Sequence, residues 1–129
     1  MRVIITNIEN RDNHIYVTGK TAIGSIKGRW YYRESPILGE TYFFELSIDE
    51  LDRNEISVIN DITFCPSVNF SDNKDRFEGI CEEIDDVYVI RFSDDWIEML
   101  SIKNDNFSIK RGDAVSFSID YDLIGIYPY

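Results

Sequence analysis

Histidine and cysteine, the side chains most often used as general bases, nucleophiles and transition-metal ligands, are scarce in this sequence. His14 is the single histidine, and it follows Asn13 at the start of a strand pattern, which favours a surface or capping role. Cys65 and Cys81 lack the Cys-x-x-Cys spacing of zinc and redox sites, so we expect two reduced thiols. Neither a Gly-x-Ser-x-Gly nucleophile motif nor a glycine-rich phosphate loop occurs. The sequence therefore predicts no metal and no other cofactor.

Carboxylates are plentiful, with 24 aspartates and glutamates among 129 residues. Two carboxylates held across a cleft can hydrolyse a glycoside when one of them has a raised pKa. In a chain this acidic, pairs also arise by chance, so an enzyme of this kind is a minor alternative. The run from Asp72 to Asp75 has Lys74 where a calcium loop needs a ligand and no glycine after it. We predict that the chain is not an enzyme.

Apolar and polar residues alternate along most of the sequence, and this period of two predicts that β-strands position any site. Residues 10–13 (Asn-Arg-Asp-Asn) are turn formers between two such segments and predict a hairpin. Residues 61–75 contain Pro66 and several Asn, Asp and Ser, and are predicted to be mainly a connector. The fold class is predicted to be all-β, an antiparallel sandwich or open barrel of about ten strands. The predicted strands are 2–9, 14–20, 22–32, 41–49, 55–60, 76–84, 87–93, 96–102, 113–121 and 123–127.

The chain is predicted to be a single domain, 1–129, whose two halves resemble each other. Ile15-Tyr16-Val17 and Val87-Tyr88-Val89 lie 72 residues apart, and the segments that begin at Gly39 and Gly112 lie 73 apart. This agreement suggests two five-strand units, 1–64 and 70–129. The alternative is that any two antiparallel meanders share alternation and turn glycines.

Aspartates that flank one predicted hairpin form a first candidate binding surface. Strands 76–84 and 87–93 are expected to be antiparallel, and the second would span about 20 Å. Aspartates that enter the first strand and leave the second should therefore lie at one end of the sheet. An acidic patch with an aromatic anchor is typical of a protein interface, although aspartate is also simply a good turn residue. This patch comprises Asp72, Asp75, Asp94, Asp95 and Trp96.

Three consecutive aromatic residues, Trp30, Tyr31 and Tyr32, form a second candidate surface. The strand pleat sends Tyr31 to the face opposite Trp30 and Tyr32, so at least one large ring is expected on an outer face. Beside Arg29 and Arg33, such a ring could stack on a nucleobase. The simpler interpretation is that these rings cover part of the core.

Charge is the strongest global feature, because the sequence has 13 basic and 24 acidic residues and a net charge of −11. Residues 1–64 hold 7 basic and 10 acidic side chains, and residues 65–129 hold 6 and 14. Such a field repels nucleic acid and anionic lipid and attracts basic proteins. The sequence also lacks an apolar run of roughly 20 residues and a signal peptide, so we expect a cytoplasmic protein without a membrane partner.

In size, acidity and lack of catalytic residues, the chain resembles the immunity proteins that accompany contact-dependent inhibition and related polymorphic toxins of bacteria. The resemblance spans the whole chain and is carried by no diagnostic motif. It implies a protein that binds and neutralises one basic cognate toxin, such as a nuclease, by complementarity of charge and shape. The alternative is a β-barrel module that binds a small ligand or single-stranded nucleic acid. Whether the protein is a monomer or a dimer stays open.

Overall fold

The computed structural model describes residues 1–61 and 63–129, and in this part of the chain it shows thirteen strands and two short 3-10 turns. The prediction of an all-β fold is confirmed. Within the same residues, no helix is long and apolar enough to cross a membrane. The strands are β1 (Arg2–Arg11), β2 (His14–Thr21), β3 (Gly24–Trp30), β4 (Thr41–Ile48), β5 (Leu51–Asp52), β6 (Ile56–Ile59), β7 (Ser67–Ser71), β8 (Lys74–Ile84), β9 (Tyr88–Ser93), β10 (Trp96–Leu100), β11 (Ile102–Lys103), β12 (Ala114–Asp120) and β13 (Ile124–Pro128).

The chain forms two compact units, and each is discontinuous in sequence. They do not coincide with the halves 1–64 and 70–129 in which the sequence suggests a repeat. Unit 1 consists of Met1–Ile48, Val68–Asp75 and Ile119–Tyr129, and unit 2 consists of Asp49–Ser67 and Arg76–Ser118.

Unit 1 contains a five-stranded barrel. Strand β1 pairs antiparallel with β2 on one side and with β4 on the other, and β2 continues to β3. The last strand, β13, closes the ring because it pairs in parallel with β3 and antiparallel with β4. The order β1-β2-β3-β13-β4 therefore returns to β1, and a chain segment from the end of the sequence completes a barrel begun at its start.

Every second side chain along the strands points into the barrel and fills its interior. In β3, Ile26 and Trp30 are buried and Lys27 and Arg29 alternate with them. Gly28 lies between the two buried side chains, where an added Cβ would be 2.9 Å from the carbonyl oxygen of Ile124. Glycine at this position lets β3 and β13 approach each other closely.

Two of the tight turns are made by Asp-Asn dipeptides. Asp12 and Asn13 join β1 to β2 with φ values of 53° and 65°, and Asp72 and Asn73 join β7 to β8 with 53° and 63°. Positive φ at both central residues is the requirement of a type I′ hairpin turn, which Asp and Asn tolerate. The first turn confirms the hairpin predicted around residues 10–13. The connector predicted over 61–75 is corrected, because its second half forms β7 and this turn; Ile62, also in that range, lies outside the described residues.

Unit 2 arranges strands in the order β6-β12-β8-β9-β10. Its centre is a cluster of four aromatic side chains, in which Phe77 stacks on Phe117 with ring centroids 5.2 Å apart. Phe92 lies 5.7 Å from Phe77 and 5.2 Å from Trp96. All four rings are buried, so Trp96 serves the core of this unit.

Candidate functional site

Four aromatic side chains point outward from neighbouring barrel strands of unit 1, and we call them the aromatic face: Tyr31, Phe43, Tyr127 and Tyr129. Each has between 40% and 72% of its surface exposed. Soluble proteins expose contiguous apolar surface of this kind mainly where another molecule binds. Tyrosine, phenylalanine and arginine are also the residues enriched in protein interfaces.

Strand pairing explains how residues so far apart in sequence meet on this face. Tyr127 lies opposite Glu45 on the β13–β4 ladder, and the amide of Tyr129 donates a hydrogen bond of 3.1 Å to the carbonyl of Phe43. On the other side of β13, the amide of Tyr31 donates to the carbonyl of Ile126 at 2.9 Å. Because side chains alternate along a strand, the residues on either side of each inward-facing position project outward together.

The rings are held in fixed contacts. Tyr31 and Tyr127 stack with centroids 4.9 Å apart and an interplanar angle of 7°. Gly125 makes room for this stack, because a Cβ there would be 2.8 Å from a ring carbon of Tyr127 and 3.1 Å from the ring of Tyr31. Phe43 and Tyr129 form a second pair with centroids 6.2 Å apart. A face ordered in this way loses little side-chain entropy when a partner binds.

Charged groups border the aromatic rings. The guanidinium carbon of Arg29 lies 4.7 Å from the centroid of Tyr31, within the range of a cation–π contact. Arg2 lies opposite Phe43 on the β1–β4 ladder, and Glu45 lies opposite Tyr127. The face thus combines large apolar rings with charges of both signs, which is the composition expected of a protein-binding surface.

The second candidate surface predicted from the sequence comprises Trp30, Tyr31 and Tyr32. In the structure Tyr31 belongs to the aromatic face, whereas Trp30 points inward. Trp30 is buried, and its indole N–H donates to the carbonyl of Glu34 at 2.8 Å. Tyr32 is as exposed as Tyr31, at 40% of its surface, but its ring makes an edge contact with Trp30 and does not join the stack. The separation of Tyr31 from Trp30 by the pleat is as expected.

The acidic patch predicted from the sequence needs correction at two of its five residues. Trp96 retains only 4% of its surface exposed, so it is not an exposed anchor. Its indole N–H donates to Glu98 at 2.9 Å. Asp75 is fully buried because it occupies an inward position of β8, on the same face as Phe77. Asp72, Asp94 and Asp95 are exposed in turns, the first in unit 1 and the other two in unit 2.

Asp75 has an unusual environment. One of its carboxylate oxygens accepts a hydrogen bond of 2.8 Å from the backbone amide of Lys27, while the other, among the residues that the structure describes, has no hydrogen-bond partner. Burial raises the pKa of Asp75 to about 7, although the amide and the charge of Lys27 act in the opposite direction. The sequence predicts that Asp75 lies in an exposed patch, whereas the structure buries its carboxyl and thereby raises its pKa.

Lys27 and Arg11 are engaged in a cluster of cations and rings on the outer side of β2 and β3. The ammonium of Lys27 lies 2.7 Å from Glu9 and 4.2 Å from the centroid of Tyr121, and only 12% of its side chain is exposed. The hydrogen bond from Lys27 lowers the pKa of Glu9. Arg11 contacts the rings of Tyr16 and Tyr121 and donates to the Tyr121 hydroxyl. These cations are neutralised or covered and do not form an open basic stripe.

The net negative charge is concentrated in one unit. Unit 2 holds 15 acidic and 6 basic side chains, a net charge of −9, whereas unit 1 holds 9 and 7, a net charge of −2. The aromatic face therefore belongs to a nearly neutral unit, and the acidic field belongs to the other. In residues 1–61 and 63–129, no three His, Cys, Asp or Glu side chains are grouped so that they could hold a metal ion.

Comparison with protein-family models, with curated protein sequences and with solved structures finds no match for this chain.

Proposed function

We propose that this protein is a non-catalytic inhibitor of the immunity type, which binds and neutralises a basic protein, a toxin domain such as a nuclease, in the cytoplasm of the cell that makes it. The observation that supports this proposal best is the aromatic face of unit 1. Four ordered, exposed rings bordered by Arg29 and Glu45 provide the apolar anchors that carry most of the binding energy in protein complexes.

The charge of unit 2 supports a basic partner. A net charge of −9 on a unit of 62 residues accelerates encounter with a cationic protein and repels other acidic proteins. Charge of this kind acts at a distance, whereas the rings of the aromatic face contribute only once the partner covers them. The two features therefore predict different salt dependence for the approach and for the bound complex.

The test is retention of a partner by the tagged full-length chain. Lysate that contains the products of the neighbouring genes is applied, and the column is washed at about 0.15 M and then at about 1 M salt. We expect one basic protein to be retained in both washes, since salt screens exposed charges but not buried rings. The toxic activity of that protein should disappear when the chain is added in equal amount.

Replacing Tyr127 with alanine is expected to weaken this complex about 30-fold or more, because an interface anchor contributes roughly 2 kcal/mol or more. Leu123→Ala removes another exposed apolar side chain of unit 1 that lies outside the aromatic face, and it should leave the affinity within a factor of three. Both are measured by calorimetry with the retained protein. Equal affinities for the two variants, or a wild-type column that retains no basic protein from a lysate shown to contain them, would reject the proposal.

A second candidate is suggested by the barrel itself. Oligonucleotide-binding domains use a five-stranded Greek-key barrel and bind across the outer side of its second and third strands. In this chain that side carries Tyr16, Lys27 and Arg11, which pack with Tyr121, and Tyr16 and Tyr121 are both buried. The rings and cations needed for stacking on bases are thus already in use, which favours the inhibitor.

A single-stranded oligonucleotide test separates the two candidates. A fluorescent deoxythymidine 15-mer should show no rise in anisotropy at protein concentrations up to about 100 µM and at low salt, because the net charge repels phosphates. Saturable binding that weakens steeply as salt increases would favour the oligonucleotide-binding candidate. Loss of that binding on Tyr31→Ala would further place it on the aromatic face.

A further inference from the structure

The loop over residues 104–111, between β11 and β12 in unit 2, holds an aromatic side chain out into solvent. Phe107 has 74% of its surface exposed and a backbone φ of 58°. Bulky residues rarely occupy this left-handed region, and an exposed phenylalanine contributes little to a core. Neither feature stabilises the fold, and backbone strain of this kind is found mainly at functional sites.

Unit 2 holds this loop on both sides of Phe107. After it, the hydroxyl of Ser108 accepts hydrogen bonds from the Nε and Nη2 of Arg53, at 3.2 Å and 2.8 Å. Ile109 is buried and fixes the end of the loop in the core. The ammonium of Lys110 donates to the carbonyl of Phe107 itself at 3.0 Å.

Before Phe107, the side-chain amide of Asn104 donates to Asp52 at 2.7 Å. Asp105 accepts from the hydroxyl of Tyr88 and, at 3.0 Å, from the backbone amide of Phe107. A loop fixed at so many points presents its exposed residue in one orientation. Such preorganisation lowers the entropy lost when a partner binds.

The charges around Phe107 differ from those of the rest of the unit. Lys103, at the end of β11, and Lys110 and Arg111 of the loop are all exposed, and the single acidic residue of the loop, Asp105, is engaged with Tyr88. Half of the six basic residues of unit 2 therefore lie within four residues of Phe107 in the sequence, on a unit whose net charge is −9. The surface that complements this arrangement is apolar at its centre and negatively charged at its rim.

We propose that the 104–111 loop is a second docking site, which inserts Phe107 into an apolar pocket bordered by carboxylates on another protein. This site lies on unit 2 and fits a different surface from the one that the aromatic face would bind, so it goes beyond the inhibitor function and does not depend on it. An anionic membrane would also offer negative charge, but the net charge of unit 2 opposes approach to one.

Two substitutions separate binding from folding. Phe107→Ala removes the ring, and Phe107→Asn also relieves the backbone, because asparagine tolerates positive φ. Both variants should keep the melting temperature of the wild type, and Phe107→Asn should match or exceed it. Met99→Ala is the matched control, since Met99 is an exposed apolar residue of the same unit with 65% of its surface accessible.

The experiment places the photoreactive residue p-benzoylphenylalanine at position 107 or, in the control, at position 99 of the full-length chain in the cells that produce it. We expect irradiation to link position 107, and not position 99, to one protein, at peptides that line an acidic-rimmed pocket. The affinity of that purified protein should fall about 10- to 100-fold with Phe107→Ala and with Phe107→Asn. Met99→Ala should change it less than threefold.

Several results would overturn the proposal: no adduct at position 107, the same adduct at both positions, or an affinity unchanged by Phe107→Ala. Co-sedimentation with phosphatidylserine vesicles that is lost with Phe107→Ala would replace the protein partner by a membrane and would overturn it as well. Tyr127→Ala, measured in parallel, reports on the aromatic face, so failure of one site is distinguishable from failure of the other.

Discussion

Replacing Asp75 with asparagine is expected to remove a large pH dependence from the stability of the protein. The carboxyl of Asp75 is fully buried, and only one of its oxygens has a described hydrogen-bond partner, the amide of Lys27. Burial raises its pKa from 3.8 to about 7. The folded state therefore holds the proton of Asp75 more tightly than the unfolded state does.

The direction of the effect follows from this difference in pKa. Below about pH 4 the carboxyl is protonated in both states, so it imposes no penalty on folding. As the pH rises towards 7, the unfolded state releases its proton while the folded state retains it, and stability falls. Above about pH 7 the folded state must bury the anion. A shift of this size corresponds to roughly 4 kcal/mol of stability lost between pH 4 and pH 8.

Urea denaturation at pH 4, 6 and 8 measures this loss. We expect the difference in unfolding free energy between Asp75→Asn and wild type to become about 4 kcal/mol more favourable to the variant from pH 4 to pH 8. Asp72→Asn is the matched control, because Asp72 is an exposed aspartate in the neighbouring turn and asparagine fits its positive φ. Parallel pH curves for wild type and Asp75→Asn would contradict the prediction.

Two signals in the sequence are sufficient to predict that Asp75 is buried. Phe77 is two residues after Asp75, so a period of two already places both on the same face of β8. The turn that precedes it, Asp72-Asn73, repeats the Asp12-Asn13 turn and marks where β8 begins. The prediction of a connector over residues 61–75 leaves both signals out, so it places the buried carboxylate of Asp75 on the surface.

The aromatic face depends on pairings that no local pattern reveals. Alternation predicts that Tyr31 lies on the face opposite Trp30, and in the structure Trp30 is buried while Tyr31 and Phe43 are exposed. Their proximity to Tyr127 and Tyr129 requires that the last strand lie between β3 and β4, in parallel with β3. Parallel pairing joins segments that are distant in sequence, so it is set by burial of the whole barrel rather than by turn chemistry.

The distribution of charge follows the two discontinuous units rather than the two halves of the sequence. Counted by halves of the sequence, the acidic excess is uneven but present on both sides. Counted by unit, it falls almost entirely on unit 2, because unit 1 takes residues from the start, the middle and the end of the chain. The same regrouping shows that the basic residues beside Phe107 are a local exception within an acidic unit.

Replacing Phe77 with alanine is expected to produce the largest loss of stability in unit 2. Phe77 is fully buried and contacts the rings of Phe92, Trp96 and Phe117, so its removal leaves a cavity at the centre of the aromatic cluster. Truncation of a buried phenylalanine costs about 3–5 kcal/mol. This is a large fraction of the 5–15 kcal/mol that stabilises a typical domain.

Each unit contains one tryptophan, Trp30 in unit 1 and Trp96 in unit 2, so fluorine NMR of the 5-fluorotryptophan-labelled protein follows them separately in urea. With Phe77→Ala we expect the Trp96 transition to move to lower urea by an amount equivalent to about 3–5 kcal/mol. Phe107→Ala, which truncates an exposed phenylalanine of the same unit, should shift it by less than about 0.5 kcal/mol. Similar shifts for the two variants would show that burial in the cluster does not determine the stability of unit 2.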